Sequence, residues 1–354
     1  MTQRIIDIIS GKDTSLTASL TRGMLSLLTP GYAIANGVRQ KLFDAGLKKS
    51  YALGRPTLSV GNLTTGGTGK TPMVAFLVQS LLAMGHRPTI LLRGYKSTDD
   101  HGSDEAAVYI KQFGEQVPVI ANPSRVDGAQ QALAQLPGCT CFVLDDGFQH
   151  RKAKRDLDIV LIDATNPFGY GHLLPRGLMR EPVSALKRAD AVIVTRADQV
   201  SADVVKQLDQ TIERITGKAP IAHASHQWTG LLDTQDNELD LQLLNGKPCY
   251  AAIAIGNPDA FGNTLRAHAS DIKDIIIQPD HHAWPAEEIT ALIEHAKTDN
   301  AVLVTTEKDY VKWPKLNADD PVYRVKLAMG FGDATEQDAL IEMMQGILAT
   351  DAHR

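Results

Sequence analysis

The chain has 354 residues, 43% hydrophobic and 22% charged, which excludes a disordered or fibrous polymer and leaves room for two domains that each bury a core. A formal charge of -5 at pH 7 excludes a general polyanion binder, so nucleic acid is not an expected partner. The cysteines Cys139, Cys141 and Cys249 show no C-x-x-C spacing and exclude a disulfide framework, as expected in a reducing cytoplasm.

Nowhere does an apolar run reach the roughly 18 to 20 residues that a bilayer span needs, and the N-terminus lacks the ordered regions of a signal peptide, so a soluble or peripheral protein is expected. Residues 16–43 read LTASLTRGMLSLLTPGYAIANGVRQKLF, with apolar positions at helical spacing, Arg22, Arg39 and Lys41 among them, and Lys48 and Lys49 just beyond. This pattern predicts a basic amphipathic helix that either packs on the protein's own core or lies in the plane of an anionic membrane surface.

From Pro56 onward short apolar runs alternate with helical segments. Strands are predicted at Thr57 to Val60, around Leu91 and Leu92, and at residues 117–121, 141–144, 159–162 and 191–195, with a helix over residues 71–84 after a glycine-rich loop. Buried strands separated by helices imply a doubly wound parallel sheet of the P-loop NTPase kind, with ligands bound beyond the carboxyl ends of the strands. After a polar stretch at residues 234–240 a second, smaller α/β set follows, with strands at 249–255, 275–277 and 301–305. The runs 221–226 and 322–325 flank it as a two-stranded link. The expected organisation is a P-loop kinase domain over 1–226 with its amphipathic segment at about 14–50, a smaller α/β domain over 227–330, and a terminal helix within 331–354 packing near the first domain.

The glycine-rich loop Thr65-Gly66-Gly67-Thr68-Gly69-Lys70-Thr71 has strand, glycines, Lys-Thr and helix in the order of a phosphate cradle, although Thr64 stands where G-x-x-x-x-G-K-[ST] has its first Gly. Glycines let backbone N–H groups turn toward phosphate oxygens, and the following helix points its positive end at the anion. Lys70 is expected to reach the β- and γ-phosphates of ATP, and the Thr71 hydroxyl to ligate Mg²⁺. The loop is similar to the x-G-G-x-G-K-T form of partitioning ATPases, but Thr65 replaces their leading lysine, which argues against their dimerising mechanism. A second metal-side group is expected after strand 141–144, where Asp145 and Asp146 could hold Mg²⁺; the bland alternative is an acidic turn ended by Gly147.

Together these motifs resemble the tetraacyldisaccharide 4'-kinase family, the lipid A 4'-kinases of Gram-negative bacteria. The resemblance rests on VGNLTTGGTGKTP at residues 60–72, RGYK at 93–96, DDGFQHR at 145–151, GHLLPRGLMREP at 171–182, IGNP at 255–258, PDHH at 279–282 and TEKD at 306–309, in order over most of the chain. It implies transfer of the ATP γ-phosphoryl group to the 4'-hydroxyl of a tetraacylated glucosamine disaccharide 1-phosphate, giving lipid IVA. The implied setting is peripheral, on the anionic cytoplasmic face of the bacterial inner membrane, with no obligate protein partner.

By the same resemblance Asp104 is the base that takes the acceptor's proton, although the family's G-D-E-P reads Ser103-Asp104-Glu105-Ala106 here, and its histidine partner is His281 or else His282. A sugar hydroxyl is too weakly acidic to attack unaided, so a carboxylate oriented by histidine suits the reaction. Without the resemblance, Asp104 reads as a surface acid and His281 as a turn histidine. Arg176, Glu181 and His150 are the expected acceptor contacts, with an internal Arg180–Glu181 pair as the alternative for that loop. Arg93 could balance triphosphate charge or merely shape its turn, and the turn at Ile255 to Pro258 reads as turn chemistry. A nucleotide-switched partitioning protein and a kinase for a soluble sugar remain as competing readings.

Overall fold

The computed structural model describes residues 3–94, 104–280 and 282–351, and its chain divides into two compact units. One comprises Arg4–His226 together with the chain from Met329 onward, and the other comprises Gln227–Ala328.

The larger unit opens with helices α1 (Gln3–Ser10) and α2 (Leu16–Asp44). The Ser15 hydroxyl caps α2 by accepting from Ala18 N, satisfying one of the orphan amides of the first turn. One face of α2 is bonded to the rest of the unit, while Leu16, Leu20, Met24, Leu27, Leu28, Ile34 and Val38 are exposed, Leu27 to 82%. Among the described residues no helix is long and apolar enough to cross a membrane.

Then come β1 (Thr57–Asn62), α3 (Lys70–Ala83), β2 (Pro88–Leu92), α4 (Asp104–Phe113), β3 (Val119–Ala121), α5 (Arg125–Gln135), β4 (Cys141–Asp145), β5 (Leu157–Asp163), β6 (Ala191–Thr195), α6 (Ala202–Thr216) and the start of β7 (Ala222–Leu232). The strands order as β7-β6-β5-β1-β4-β2-β3, all parallel, so β1 lies in the middle. Every residue of β1, β4 and β5 is buried, as expected of parallel strands covered on both faces, including the polar Thr57, Ser59, Asn62 and Asp158. Register places Val60 beside Asp145 on one side and Ile159 on the other, so the loops after β1 and β4 leave the sheet together. Helix α3 is apolar all round because it is enclosed: its Met73, Leu77 and Leu81 share a cluster with Val60 and Val143 of the sheet and with Leu340 and Met344 of the final helix α10 (Ala334–Asp351).

The smaller unit contains the end of β7, which pairs antiparallel with β8 (Glu238–Leu239), then β9 (Cys249–Ile253), α7 (Pro258–His268), β10 (Ile272–Ile277), α8 (Ala286–Thr298), β11 (Val302–Thr306), α9 (Glu307–Tyr310) and most of β12 (Val322–Phe331). Strands β10-β9-β11-β12 are parallel, with Trp228, Phe261 and Leu265 packed against one face and Trp284, Ile289 and Trp313 against the other. Buried Arg324 pairs with Glu307 at 2.7 Å and with Asp236, and lies over the Tyr310 ring, so its charge is answered on every side.

Candidate active site

The loop after β1 is a nest of backbone amides held open by its surroundings. Gly66 has φ 121 and Gly69 φ 90, conformations that disfavour any side chain, and a Cβ on Gly69 would meet His226 Nε2 at 2.2 Å. Gly69 is also the N-cap of α3 and offers no side-chain hydrogen bond there. Among the described residues the N–H groups of Gly66, Gly67 and Gly69 donate to no backbone carbonyl, and the first amides of α3 lack intrahelical partners by construction.

The loop's carbonyls, by contrast, are pinned back. Arg196 Nη2 donates to Gly67 O at 2.6 Å while its other nitrogen pairs with buried Asp163, and Thr195 Oγ1 donates to Thr68 O at 3.0 Å. Asn62 Nδ2 donates to Thr68 Oγ1 at 2.9 Å, and Thr65 N to Leu178 O at 2.8 Å. Burial pushes the His226 imidazole down to about 3, helped by the charge of Arg196, so it is neutral against the loop, its Nε2 buried without a hydrogen-bond partner. These braces escaped the sequence reading, although Thr195 and Arg196 directly follow an apolar strand at the ligand-binding edge of the sheet.

Beside the cradle, Lys70 Nζ is 3.5 Å from Asn62 Oδ1 and 3.5 Å from Asp146 Oδ1. Asp146 adopts φ 54 after β4 and also accepts from Arg180 Nη1 at 2.7 Å. Burial alone would push its carboxyl up, but Lys70 and Arg180 outweigh burial and hold it down at about 2. Asp145 behaves oppositely: burial, then the charge of Glu105, push it up to about 6. Its Oδ2 accepts from Tyr109 at 2.9 Å, and among the described residues its buried Oδ1 has no hydrogen-bond partner. Thr71 lies near enough to Tyr109 to favour its ionised form against burial, so Thr71 and Asp145 share one corner. An orphaned carboxylate oxygen beside a second carboxylate and a hydroxyl is a donor set that a hard cation fits.

The remaining expected residues are placed variously. Asp104 is the first residue of α4, whose Tyr109 touches Asp145, but its side chain and the whole of His281 lie outside the described residues. His282 is described: it bonds Glu288 at 3.0 Å and packs edge-on against Trp284 within the smaller unit. Arg176 Nη1 donates to Ile9 O at 2.8 Å. Glu181 is fully buried and bonded to Arg188 at 2.6 Å, so here its carboxylate supports the loop instead of lining a crevice; the expected alternative pair with Arg180 is not formed, because Arg180 reaches Asp146. His150 is half-buried, and burial followed by the charges of Arg125, Arg155, Arg39 and Lys152 push it down to about 4.

Helix α2 is tied to the same corner. Tyr32 and Asn36 both donate to Arg180 O, and Arg39 donates to Gln149 O at 2.8 Å. Gln149 in turn donates to Asn62 O at 2.8 Å, so the helix, the Arg180 loop and the cradle strand form one hydrogen-bonded chain. In the smaller unit the TEKD turn is architectural: buried Asp309 accepts from Ala254 N, Trp284 Nε1 and Thr306 Oγ1, and Lys308 pairs with Asp280 at 2.9 Å.

A model of the family described as Tetraacyldisaccharide-1-P 4'-kinase matches residues 21–346. The tetraacyldisaccharide 4'-kinase of Anaeromyxobacter dehalogenans is 37% identical over 312 residues, covering 83% of this chain and 82% of the relative. That of Geobacter metallireducens is 35% identical over 347 residues, 91% of this chain and 98% of the relative. Among solved structures, the "apo" form of LpxK from Aquifex aeolicus in complex with ATP aligns with a TM-score of 0.72 at 27% identity, over 93% of this chain and 99% of that one.

Proposed function

The chain belongs to the tetraacyldisaccharide-1-P 4'-kinase family, and on that premise we propose that it transfers the γ-phosphoryl group of ATP to the 4'-hydroxyl of a tetraacylated glucosamine disaccharide 1-phosphate, forming lipid IVA in lipid A biosynthesis. One observation carries the reading: unpartnered amides of Gly66, Gly67 and Gly69, the Lys70 ammonium and the carboxylates of Asp145 and Asp146 converge where β1 and β4 end.

In this reading the amides of residues 66–71 bind the β- and γ-phosphate oxygens, and Lys70 swings from Asp146 onto the same oxygens. Arg180 then remains as the partner that keeps Asp146 ionised. Thr71, Asp145 and Asp146 would hold Mg²⁺, which when bound would neutralise charge developing on the phosphates. The buried Asp145 Oδ1, without a hydrogen-bond partner among the described residues, supports this. Asp104, at the start of a helix anchored to the site through Tyr109, is the base that accepts the acceptor's proton. Arg176 and His150 face the acceptor's sugar and phosphate.

A lipid acceptor also gives a purpose to the exposed apolar stripe of α2. We assign it to the cytoplasmic face of the inner membrane, where it lies in the interface with its bonded face turned to the protein. Replacing Leu20, Met24 and Leu27 by Gln is expected to weaken partition into anionic vesicles at least tenfold by rough area arithmetic, with the folded state unchanged by circular dichroism; unchanged partition would remove the membrane role. The activity itself is tested by offering labelled ATP, the tetraacyl disaccharide 1-phosphate and a panel of soluble sugars. Label at the 4'-position of the lipid is expected, and label on a soluble sugar alone would overturn the reading.

A further inference from the structure

The segment Thr195-Arg196-Ala197-Asp198 leaves β6 beside the phosphate loop, and its first two residues already hold that loop: Thr195 Oγ1 donates to Thr68 O at 3.0 Å and Arg196 Nη2 to Gly67 O at 2.6 Å. They hold it from the side away from the carboxylate corner. The sheet order β6-β5-β1-β4 sets Asp145 and Asp146 one strand from β1 in one direction and this segment two strands from β1 in the other. A triphosphate with its γ end at Lys70 and that corner therefore delivers its nucleoside toward β6, about 10 Å from the cradle strand at the usual strand spacing, a distance that a ribose and base cover. Arg196 adopts φ 53, in the left-handed region that a side chain disfavours, so the chain turns sharply there: the guanidinium returns to Gly67 while Ala197–Gln199 form a single turn with Asp198 at its middle. Asp198 is exposed, and among the described residues it makes no hydrogen bond and no ion pair, although its charge acts on the Arg196 guanidinium. Such an anion weakens a polyanion site by repulsion, unless it meets N–H groups on the same ligand.

We propose that Asp198 reads the base of the phosphate donor and makes the site take guanine at least as well as adenine; the inference rests on the proposed function and specifies its donor. An ionised carboxylate only accepts hydrogen bonds, so it favours whichever base edge presents most donors. Guanine presents its N1–H and 2-amino groups side by side, two donors for two oxygens. Adenine presents its 6-amino group beside the N1 lone pair, so one oxygen is used and the other is opposed. Hypoxanthine keeps N1–H but has no 2-amino group, and again one oxygen goes unanswered. The braces give the reading its precision: because Thr195 and Arg196 fix their own segment to the loop that holds the phosphates, Asp198 keeps a set distance from the phosphate chain, and a base that reaches it does so in one register.

The test uses the full chain, the tetraacyl disaccharide 1-phosphate and three Mg²⁺-loaded donors, ATP, GTP and inosine triphosphate, with the Kd of each nucleotide measured separately in the absence of acceptor. In the wild type, kcat/KM with GTP is expected to equal or exceed that with ATP and to exceed that with inosine triphosphate roughly tenfold, the scale of one charge-assisted hydrogen bond, with Kd following the same order. Asp198→Asn replaces one acceptor by a donor, which suits the amino group and N1 of adenine and opposes the 2-amino group of guanine, so the order of ATP and GTP should invert. Asp198→Ala should bring GTP and inosine triphosphate to within about twofold of each other. A side chain that only supports the turn would lower all three donors together and leave their ratios alone. Unaltered ratios in both variants, or a wild type that binds GTP and inosine triphosphate equally, would overturn the inference. The proposed function fails separately: a wild type that shows the expected order of Kd but labels no lipid would overturn that function and leave the reading of Asp198 standing.

Discussion

Strand β1 runs into α3 through a glycine-rich loop, and strand β9 runs into α7 through the turn Ile255-Gly256-Asn257-Pro258. At the second junction Asn257 accepts a hydrogen bond from Ala260 N and Pro258 begins the helix, so one of the first turn's amides is answered and another removed by the chain itself. At the first, left-handed Gly69 offers no cap, the loop's carbonyls are tied back by Arg196 and Thr195, and the amides are left for a ligand. A polar turn after a parallel strand is therefore not in itself a phosphate site. What distinguishes the two is whether the helix start is satisfied internally.

The contrast breaks most visibly at Lys70. Changing Lys70 to Ala is expected to lower phosphoryl transfer on the order of 10³-fold, because the terminal phosphates lose the cation at the head of α3; a kcat within tenfold of wild type would contradict the role. Next comes Arg196→Ala, which leaves Asp163 buried without its partner and releases Gly67 O. A loss of about 3–5 kcal/mol in urea unfolding is expected together with a raised KM for ATP, and a variant with wild-type stability and KM would show that the brace is idle.

Smaller still is a pH effect at Asp145. Its folded pKa of about 6 lies above the ordinary carboxyl value of 3.8, so the ligand-free protein draws stability from the protonated acid below about pH 4 and loses it as pH rises through 6. A cation must displace that proton, so the increase in Tm caused by Mg-ATP should grow between pH 5 and pH 7, and Asp145→Asn should flatten the dependence. An increment independent of pH in the wild type would contradict the metal-side assignment. At the other junction Asn257→Ala should cost only about 1 kcal/mol and leave kcat unchanged, so a loss of activity there would erase the distinction between the two turns.

Much of this was legible in the sequence where the governing forces are local. The buried run Thr57 to Val60, the glycines and the Lys-Thr pair place β1, the cradle and α3 to within a few residues, and the amphipathic spacing of residues 16–43 matches a helix ending at Asp44. Strands β7 and β12 extend beyond the runs 221–226 and 322–325 because residues such as Gln227 and Thr229 put polar side chains on one face and interrupt the apolar pattern. The braces were illegible for a different reason. Arg196 meets Gly67 across 129 residues, and Arg180 reaches Asp146 because its segment, which follows β5, is laid against the loop after β1 by Arg180 N donating to Leu63 O, while the register sets Asp145 beside Val60. Glu181, expected at the acceptor, is buried and taken by Arg188 seven residues along the same segment.

The central claim is that the amides of residues 66–71 and Lys70 grip the terminal phosphates of ATP, and a crystal grown with Mg²⁺ and a non-hydrolysable ATP analogue tests it most directly. The expected density has β- and γ-phosphates on those amides, Lys70 Nζ moved from Asp146 to the γ-phosphate, and a cation shared by Thr71 and the Asp145–Asp146 corner. An empty loop with the nucleotide bound elsewhere, or with Lys70 still on Asp146, would contradict the account.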